Sequence, residues 1–143
     1  MNKLLFFLWL LSCPALAQHK VPEGIWQIKD SKTGKALVYV QFEQTETGMQ
    51  AVITQIPKHS AFAADPRCNT CSPKDNRYKQ PLIGMVVLGG MKPVGTRWVQ
   101  GEWLDLEKGF SYMADLVQQN DKELTVYVMY GKMSKPKQLQ RVQ

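Results

Sequence analysis

The chain has 143 residues, a length that suits one domain of ordinary size and argues against two. Its composition, 44% apolar, 10% aromatic and 21% charged, is typical of a folded globular protein and excludes wholesale disorder. The formal net charge is +6, from 18 Lys and Arg against 12 Asp and Glu, so the protein is basic.

The N-terminus has the three parts of a secretory signal peptide. Lys3 precedes the apolar run Leu4–Leu11, and Ala15-Leu16-Ala17 follows it. The run is too short to span a membrane, which takes about 20 residues. We therefore predict that residues 1–17 are removed and that residues 18–143 form a single domain in the periplasm or outside the cell. Since Leu10-Leu11-Ser12-Cys13 resembles a lipobox, a lipoprotein anchored through Cys13 is the alternative.

The mature chain consists mainly of short β-type segments separated by turn residues. The clearest is the second, where Ala36, Val38, Val40 and Phe42 alternate with more polar neighbours. The pattern predicts eight strands, near residues 24–28, 36–43, 49–56, 82–88, 97–106, 110–118, 123–130 and 138–142. It predicts an all-β fold, an eight-stranded antiparallel up-and-down barrel, because closure hides the strand edges. A β-sandwich is the alternative.

One long connection interrupts this pattern, at residues 57–81. It contains both mature cysteines, as Cys68-Asn69-Thr70-Cys71. A local disulfide is the first interpretation. A redox-active pair is the second, although no βαβ setting surrounds it. A zinc site is the third, but His59 is the nearest additional ligand and zinc sites usually have four. Irregular connections of this length are often binding loops or lids.

The sequence offers little support for catalysis, so we predict no enzyme, cofactor or metal. The histidines are His19 and His59, and no motif joins either to a nucleophile and an acid. Asp105 and Glu107 read as a solvated pair beside a turn. The excess of basic residues, clustered at Lys132, Lys135, Lys137 and Arg141, allows an anionic membrane surface as a partner. Nucleic acid is not expected, because no interleaved basic and aromatic platform is present.

Aromatic and methionine side chains concentrate in the later strands. The segment 123–130 is apolar on both faces, which fits packing on two sides or one face lining a pocket. We assign ligand-binding roles to Trp98, Trp103, Tyr112, Tyr127 and Met129.

Gly24-Ile25-Trp26 near the start and Arg141 near the end resemble the signature of the lipocalins and calycins. This resemblance implies that Trp26 closes one barrel end and that the basic residue packs over it. The chain also resembles a family of small exported bacterial proteins, the domain of unknown function numbered twenty-one forty-seven. The matching features are Asp30 with Gly34, the cysteine pair, Pro81-Leu82-Ile83-Gly84, Trp98 with Gly101, Asp105 with Gly109 and Tyr112, and Arg141.

The chain departs from that family at two places. Leu106 follows Asp105 where the family usually has proline, and Gln138-Leu139-Gln140 lacks a tryptophan before Arg141. The resemblance implies a lipocalin-like barrel. With the apolar late strands, it leads us to predict an envelope protein that binds a small apolar or amphipathic ligand. The alternatives are an interaction or stress protein with a filled barrel, and a redox protein using Cys68 and Cys71.

Overall fold

A computed structural model describes residues 20–143, so the predicted signal peptide, Cys13 and His19 lie outside the described residues. Eight antiparallel strands follow one another around a closed barrel, and the last pairs with the first. This confirms the predicted up-and-down barrel over the sandwich. The strands are β1 (Trp26–Lys29), β2 (Ala36–Thr45), β3 (Gly48–Gln55), β4 (Val86–Val94), β5 (Arg97–Asp105), β6 (Phe110–Asn120), β7 (Glu123–Tyr130) and β8 (Met133–Arg141).

Alternation along the strands decides which side chains fill the barrel. On β7, Leu124, Val126 and Val128 are buried and point inward, while Tyr127 and Met129 point outward. Cross-strand partners share a face, so the pairing of Val126 with Leu116 and of Leu124 with Leu139 continues the apolar interior around the barrel. Most of the interior is therefore a packed core.

Two strands depart from their predicted bounds. We expected β4 at residues 82–88, but it runs from Val86 to Val94 and passes through Gly89-Gly90. Pairing with β5 explains this, because it continues as far as Val94 opposite Arg97, so that only residues 95 and 96 make the turn. Likewise β8 begins at Met133 rather than near residue 138, since every residue from Met133 to Gln140 pairs with β7.

One end of the barrel, which we call the closed end, is where β1 begins and β8 ends. Trp26 lies opposite Val40 and Arg141, is fully buried, and packs edge-to-face on Phe42 with ring centres 6.3 Å apart. Its indole N–H donates to the carbonyl of Glu23 at 3.1 Å. The strand pairing continues past the strand ends through hydrogen bonds of Ile25 with residues 142 and 143. The backbone is thus paired at this end.

Four of the seven connections between strands lie at the opposite end, which we call the open end, and they include the long connection between β3 and β4. This connection, residues 56–85, which we call the wrapping loop, mostly covers the outer wall of β5 and β6. Leu104, on the outer face of β5, is only 1% exposed because the loop lies over it. Cys68 and Cys71 form a disulfide in the loop, as the first interpretation of this pair predicted, and both are buried.

Candidate functional site

A cavity of about 950 Å³ occupies the open end of the barrel. This volume is in the range of small-molecule sites, about 300–1,000 Å³. Its apolar wall comes from both edges of the seam between β1 and β8, from the start of β2 and from the wrapping loop, through Ile28, Leu139, Leu37 and Phe62.

The seam between β1 and β8 explains why the cavity exists. Only Trp26 with Arg141 and Gln27 with Gln140 are paired along the two strands, whereas the other neighbouring strands pair through three to eight residues. Beyond Gln27, a bulge between Ile28 and Lys29 turns β1 away from regular pairing. The strands therefore separate towards the open end, and Ile28 and Lys137 both line the space between them.

Two buried polar groups line this cavity without a hydrogen-bond partner among residues 20–143. They are the indole Nε1 of Trp103 and the carboxylate oxygen Oδ2 of Asp105, and both side chains are 3% exposed. The other oxygen, Oδ1 of Asp105, accepts the backbone N–H groups of Glu107 and Lys108 at 3.0 and 3.1 Å. That turn fixes the carboxylate, so Oδ2 is held on the barrel's inner side.

A pair of tyrosines stands beside these groups. Tyr112 and Tyr130 lie on neighbouring strands with ring centres 4.5 Å apart. The ammonium groups of Lys108 and Lys135 lie 5.2 and 5.6 Å from the centre of the Tyr130 ring. Burial, followed by the negative charge of Asp105, raises the pKa of the Tyr130 phenol, so this group stays neutral and able to donate.

Lysines dominate the charge around the cavity. Five line it, and within residues 20–143 none of them forms an ion pair with a carboxylate; they are Lys29, Lys32, Lys108, Lys135 and Lys137. Register places Lys135 opposite Val128 and Lys137 opposite Val126, so both stand on the inward-facing side of β8. The rim therefore presents positive charge to the space between β1 and β8.

The acidic residues of the rim are occupied by the turns. Asp30 accepts the backbone N–H groups of Lys32 and Thr33 at 2.8 and 3.0 Å, and these bonds lower the pKa of its carboxyl. Glu107 accepts both the N–H and the hydroxyl of Ser31, which joins the turn after β5 to the turn after β1. These carboxylates shape the rim and leave its lysines free to face a ligand.

The wrapping loop is fixed to this end of the barrel at two points. The buried hydroxyl of Ser60 donates to the carbonyl of Leu37 at 2.6 Å, and the hydroxyl of Thr70 donates to the carbonyl of Leu106 at 2.7 Å. Gly109 has a positive φ of 77°, and a Cβ there would overlap the Thr70 backbone. The loop thus supplies part of the cavity rim, through Phe62 and Thr70, while neither cysteine of its disulfide lines the cavity.

The five residues that we assigned to ligand binding lie in different parts of the barrel. Trp103 lines the cavity, and Tyr112 points to the same side and contacts Tyr130. Trp98 points inward but near the closed end, where it pairs with Leu116. Tyr127 and Met129 lie on the outer face of β7 and do not line the cavity, because the inner positions of that strand belong to Val126 and Val128.

Sequence reasoning missed three polar contributors. Asp105 is buried rather than part of a solvated pair, because it points to the inner side of β5 and its Oδ1 caps the turn that follows the strand. Lys135 and Lys137 were read as surface charge, yet they alternate with outward residues on β8. Extending the predicted strand from residue 138 back to Met133 would have revealed that alternation.

Within the described residues 20–143, no three His, Cys, Asp or Glu side chains come together as metal ligands. No helix of residues 20–143 has the length and apolar character needed to cross a membrane.

The fold and its cavity define the class, an eight-stranded lipocalin-like barrel. The chain is similar to the solved structure of protein HP1028 from Helicobacter pylori, which is described as belonging to the lipocalin family. The TM-score is 0.69 at 18% sequence identity, over 88% of this chain and 85% of that one.

The particular family is shown by sequence. Residues 24–141 match the family described as "Uncharacterized protein conserved in bacteria (DUF2147)", so the chain belongs to that family, as the resemblance predicted. A comparison with curated proteins finds no match.

Proposed function

We propose that this protein is an exported carrier that binds a small amphipathic, anionic ligand in the open-end cavity. The observation that carries the proposal is the combination of an apolar wall with five lysines that have no ion-pair partner within residues 20–143. Apolar side chains bind a ligand's tail by removing its surface from water, and unpaired ammonium groups attract its acidic end.

Dodecanoate is a suitable probe, because it has one carboxylate and a flexible apolar chain. We expect the purified protein to bind it in calorimetric titrations, and Lys135→Glu to weaken binding about three- to tenfold. Lys122→Glu is the matched control, since it makes the same change of charge in the turn between β6 and β7 at the closed end. Equal losses in the two variants, or no binding of dodecanoate, would contradict the proposal.

Export is a separate part of the proposal and has its own test. The Ala-x-Ala exit at residues 15–17 supports cleavage before Gln18. N-terminal sequencing of protein isolated from the cell envelope should begin at Gln18. A blocked N-terminus carrying acylated Cys13 would instead assign the protein to the lipoproteins, and recovery of the uncleaved chain from the cytoplasm would contradict export.

A second candidate function, docking on an anionic membrane surface, is favoured by the side chains outside the cavity at the open end. Phe110 and Met133 begin β6 and β8 there and are 60% and 64% exposed. Lys132 stands in the turn before Met133, and Lys108, which also lines the cavity, stands in the turn before Phe110. Apolar and basic groups are therefore interleaved, as at membrane interfaces.

Vesicle sedimentation tests this second function. We expect binding to phosphatidylglycerol vesicles, little binding to phosphatidylcholine vesicles, and a clear loss in Phe110→Ser/Met133→Ser. Val94→Ser is the control, because Val94 is 59% exposed at the closed end. If the control loses as much binding as the double variant, or if lipid charge has no effect, the open end is not the docking surface.

A further inference from the structure

The two unpartnered groups of the cavity have opposite hydrogen-bonding characters. An indole N–H can only donate, whereas a carboxylate oxygen can only accept. Trp103 and Asp105 occupy successive inward positions on β5, about 7 Å apart along the strand. Each side chain is 97% buried, and a buried polar group left unpaired costs about 1–3 kcal/mol. A ligand that satisfies both groups would therefore gain selectivity from them.

The chemistry of the two groups narrows what can satisfy them. A carboxylate would accept from Trp103, but the charge of Asp105 would repel it. An ammonium group would donate to Asp105, but it cannot accept from Trp103, and the lysines of the rim oppose it. A hydroxyl is the smallest group that both donates and accepts.

The position of the lysines says where the ligand's acidic group would lie. The ammonium groups of Lys108 and Lys135 lie over the Tyr130 ring, and the backbone N–H of Lys108 donates to Oδ1 of Asp105 at 3.1 Å. The Tyr130 ring in turn contacts Tyr112, the cross-strand partner of Trp103. The lysines therefore stand next to the two unpartnered groups, and we expect the ligand's hydroxyl and acidic group to be close together on its chain.

We propose that the ligand is a hydroxy acid of the 3-hydroxyalkanoate type, whose hydroxyl is bound between Asp105 and Trp103 and whose carboxylate faces Lys108 and Lys135. Its alkyl chain lies along Ile28 and Leu139 at the seam. The proposal rests on the proposed function and specifies the ligand class for the same cavity.

The test compares two probes that differ by one oxygen atom, 3-hydroxydodecanoate and dodecanoate. We expect the purified protein to bind the hydroxy acid about tenfold more tightly in calorimetric titrations, because only that probe pairs both buried groups. The isomer 12-hydroxydodecanoate is the probe control, since its hydroxyl lies at the far end of the chain. It should bind no more tightly than dodecanoate.

Two conservative variants test whether Asp105 and Trp103 cause the preference for 3-hydroxydodecanoate over dodecanoate. Asp105→Asn keeps an oxygen to cap the turn at residues 107–108 but replaces the inward acceptor with a donor, and Trp103→Phe removes the indole N–H while keeping a ring. We expect each to bring the ratio of the two affinities, 3-hydroxydodecanoate over dodecanoate, from about ten to near one. Because both residues line the cavity, this ratio is the readout rather than either affinity, and Asp105→Asn should tighten the binding of both acids by removing a negative charge that repels them. Thermal melts followed by circular dichroism establish that the variants are folded.

The outcomes separate this inference from the proposed function. Equal binding of the two probes to the unaltered protein, with the Lys135→Glu effect still present, overturns the hydroxyl inference alone, and so does a preference that survives both variants. If neither probe binds, the proposed function fails as well. The comparison on the unaltered protein decides the matter even if a variant does not fold.

Discussion

The two ends of this barrel differ in how a buried tryptophan is hydrogen-bonded and in how completely β1 pairs with β8. At the closed end, the buried indole of Trp26 donates to the Glu23 carbonyl, and strand pairing between β1 and β8 is complete. At the open end, the buried indole of Trp103 has no partner within residues 20–143, and the same two strands separate. Because unsatisfied buried groups in native proteins often mark functional sites, the difference supports our proposal that one end supplies stability and the other binds a ligand.

Among the substitutions that test this difference between the two ends, we expect the largest loss of stability at Trp26. Trp26→Ala should lower the free energy of unfolding by about 3–5 kcal/mol, because it empties a fully buried position and leaves the Glu23 carbonyl without its donor. Trp103→Phe should cost about 1–2 kcal/mol less than the matched change Trp26→Phe, because both remove the same part of a buried ring but only Trp26 loses a hydrogen bond. Urea denaturation measures all three variants. Equal losses in the two Phe variants would mean that the open end also carries stability.

Glycine supplies a second contrast between the ends. Gly24 has a φ of 95°, and a Cβ there would overlap the carbonyl oxygen of Gln143 and the side chain of Arg141. Gly34, in the turn after β1 at the open end, has a φ of 70° with open space around it. We expect Gly24→Ala to cost about 2–4 kcal/mol and Gly34→Ala about 1 kcal/mol, because only the first adds steric overlap to backbone strain. Equal losses of stability in denaturation experiments would contradict this account of the closed end.

Removing the disulfide tests whether the cross-link in the wrapping loop contributes to stability, to ligand binding or to both. Closing a ring of four residues removes about 2 kcal/mol of unfolded-state entropy. Cys68→Ser/Cys71→Ser should therefore lower the free energy of unfolding by about 2 kcal/mol. Dodecanoate affinity should stay within about twofold, because neither cysteine lines the cavity. Thermal melts and calorimetric titrations measure the two quantities. A loss of affinity much larger than this would assign the disulfide to the site.

The sequence was sufficient for the strand number and the barrel, because period-2 alternation and turn residues are local signals. The concentration of aromatic and methionine residues in the late strands pointed to Trp103, which lines the cavity, but equally to Tyr127 and Met129, which lie on the outer face of β7. The sequence could not reveal that Asp105 is buried, because that depends on the pairing of β5 with β6, which turns the side chain inward, and on the cap that its Oδ1 makes on the following turn. Nor could it place the gap between β1 and β8, which depends on the pairing of residues more than a hundred positions apart.

We expect the smallest loss of stability on the outer wall of the open end, where an ion pair of the wrapping loop contacts β5 and β6. Asp75 and Arg77 form an ion pair at 2.7 Å, and Arg77 also reaches Ser111 and Glu102 on β6 and β5. Hydrogen bonds from Arg77 lower the pKa of the Asp75 carboxyl from 3.8 to about 2. Asp75→Asn should therefore lower the free energy of unfolding by about 1 kcal/mol near pH 7.

The sign of the pH dependence follows from that lowered pKa. The folded protein holds the Asp75 carboxyl ionised more strongly than the unfolded chain does, so the stabilisation is complete above pH 3.8 and is lost as the pH falls towards about 2. Urea denaturation across this range should show the unaltered protein and Asp75→Asn converging. Asp65→Asn is the control, because the Asp65–Arg67 pair is exposed within the loop and does not reach the barrel wall. A difference for Asp75→Asn that persists at about pH 2 would mean that lost packing, rather than charge, holds the loop against β5 and β6.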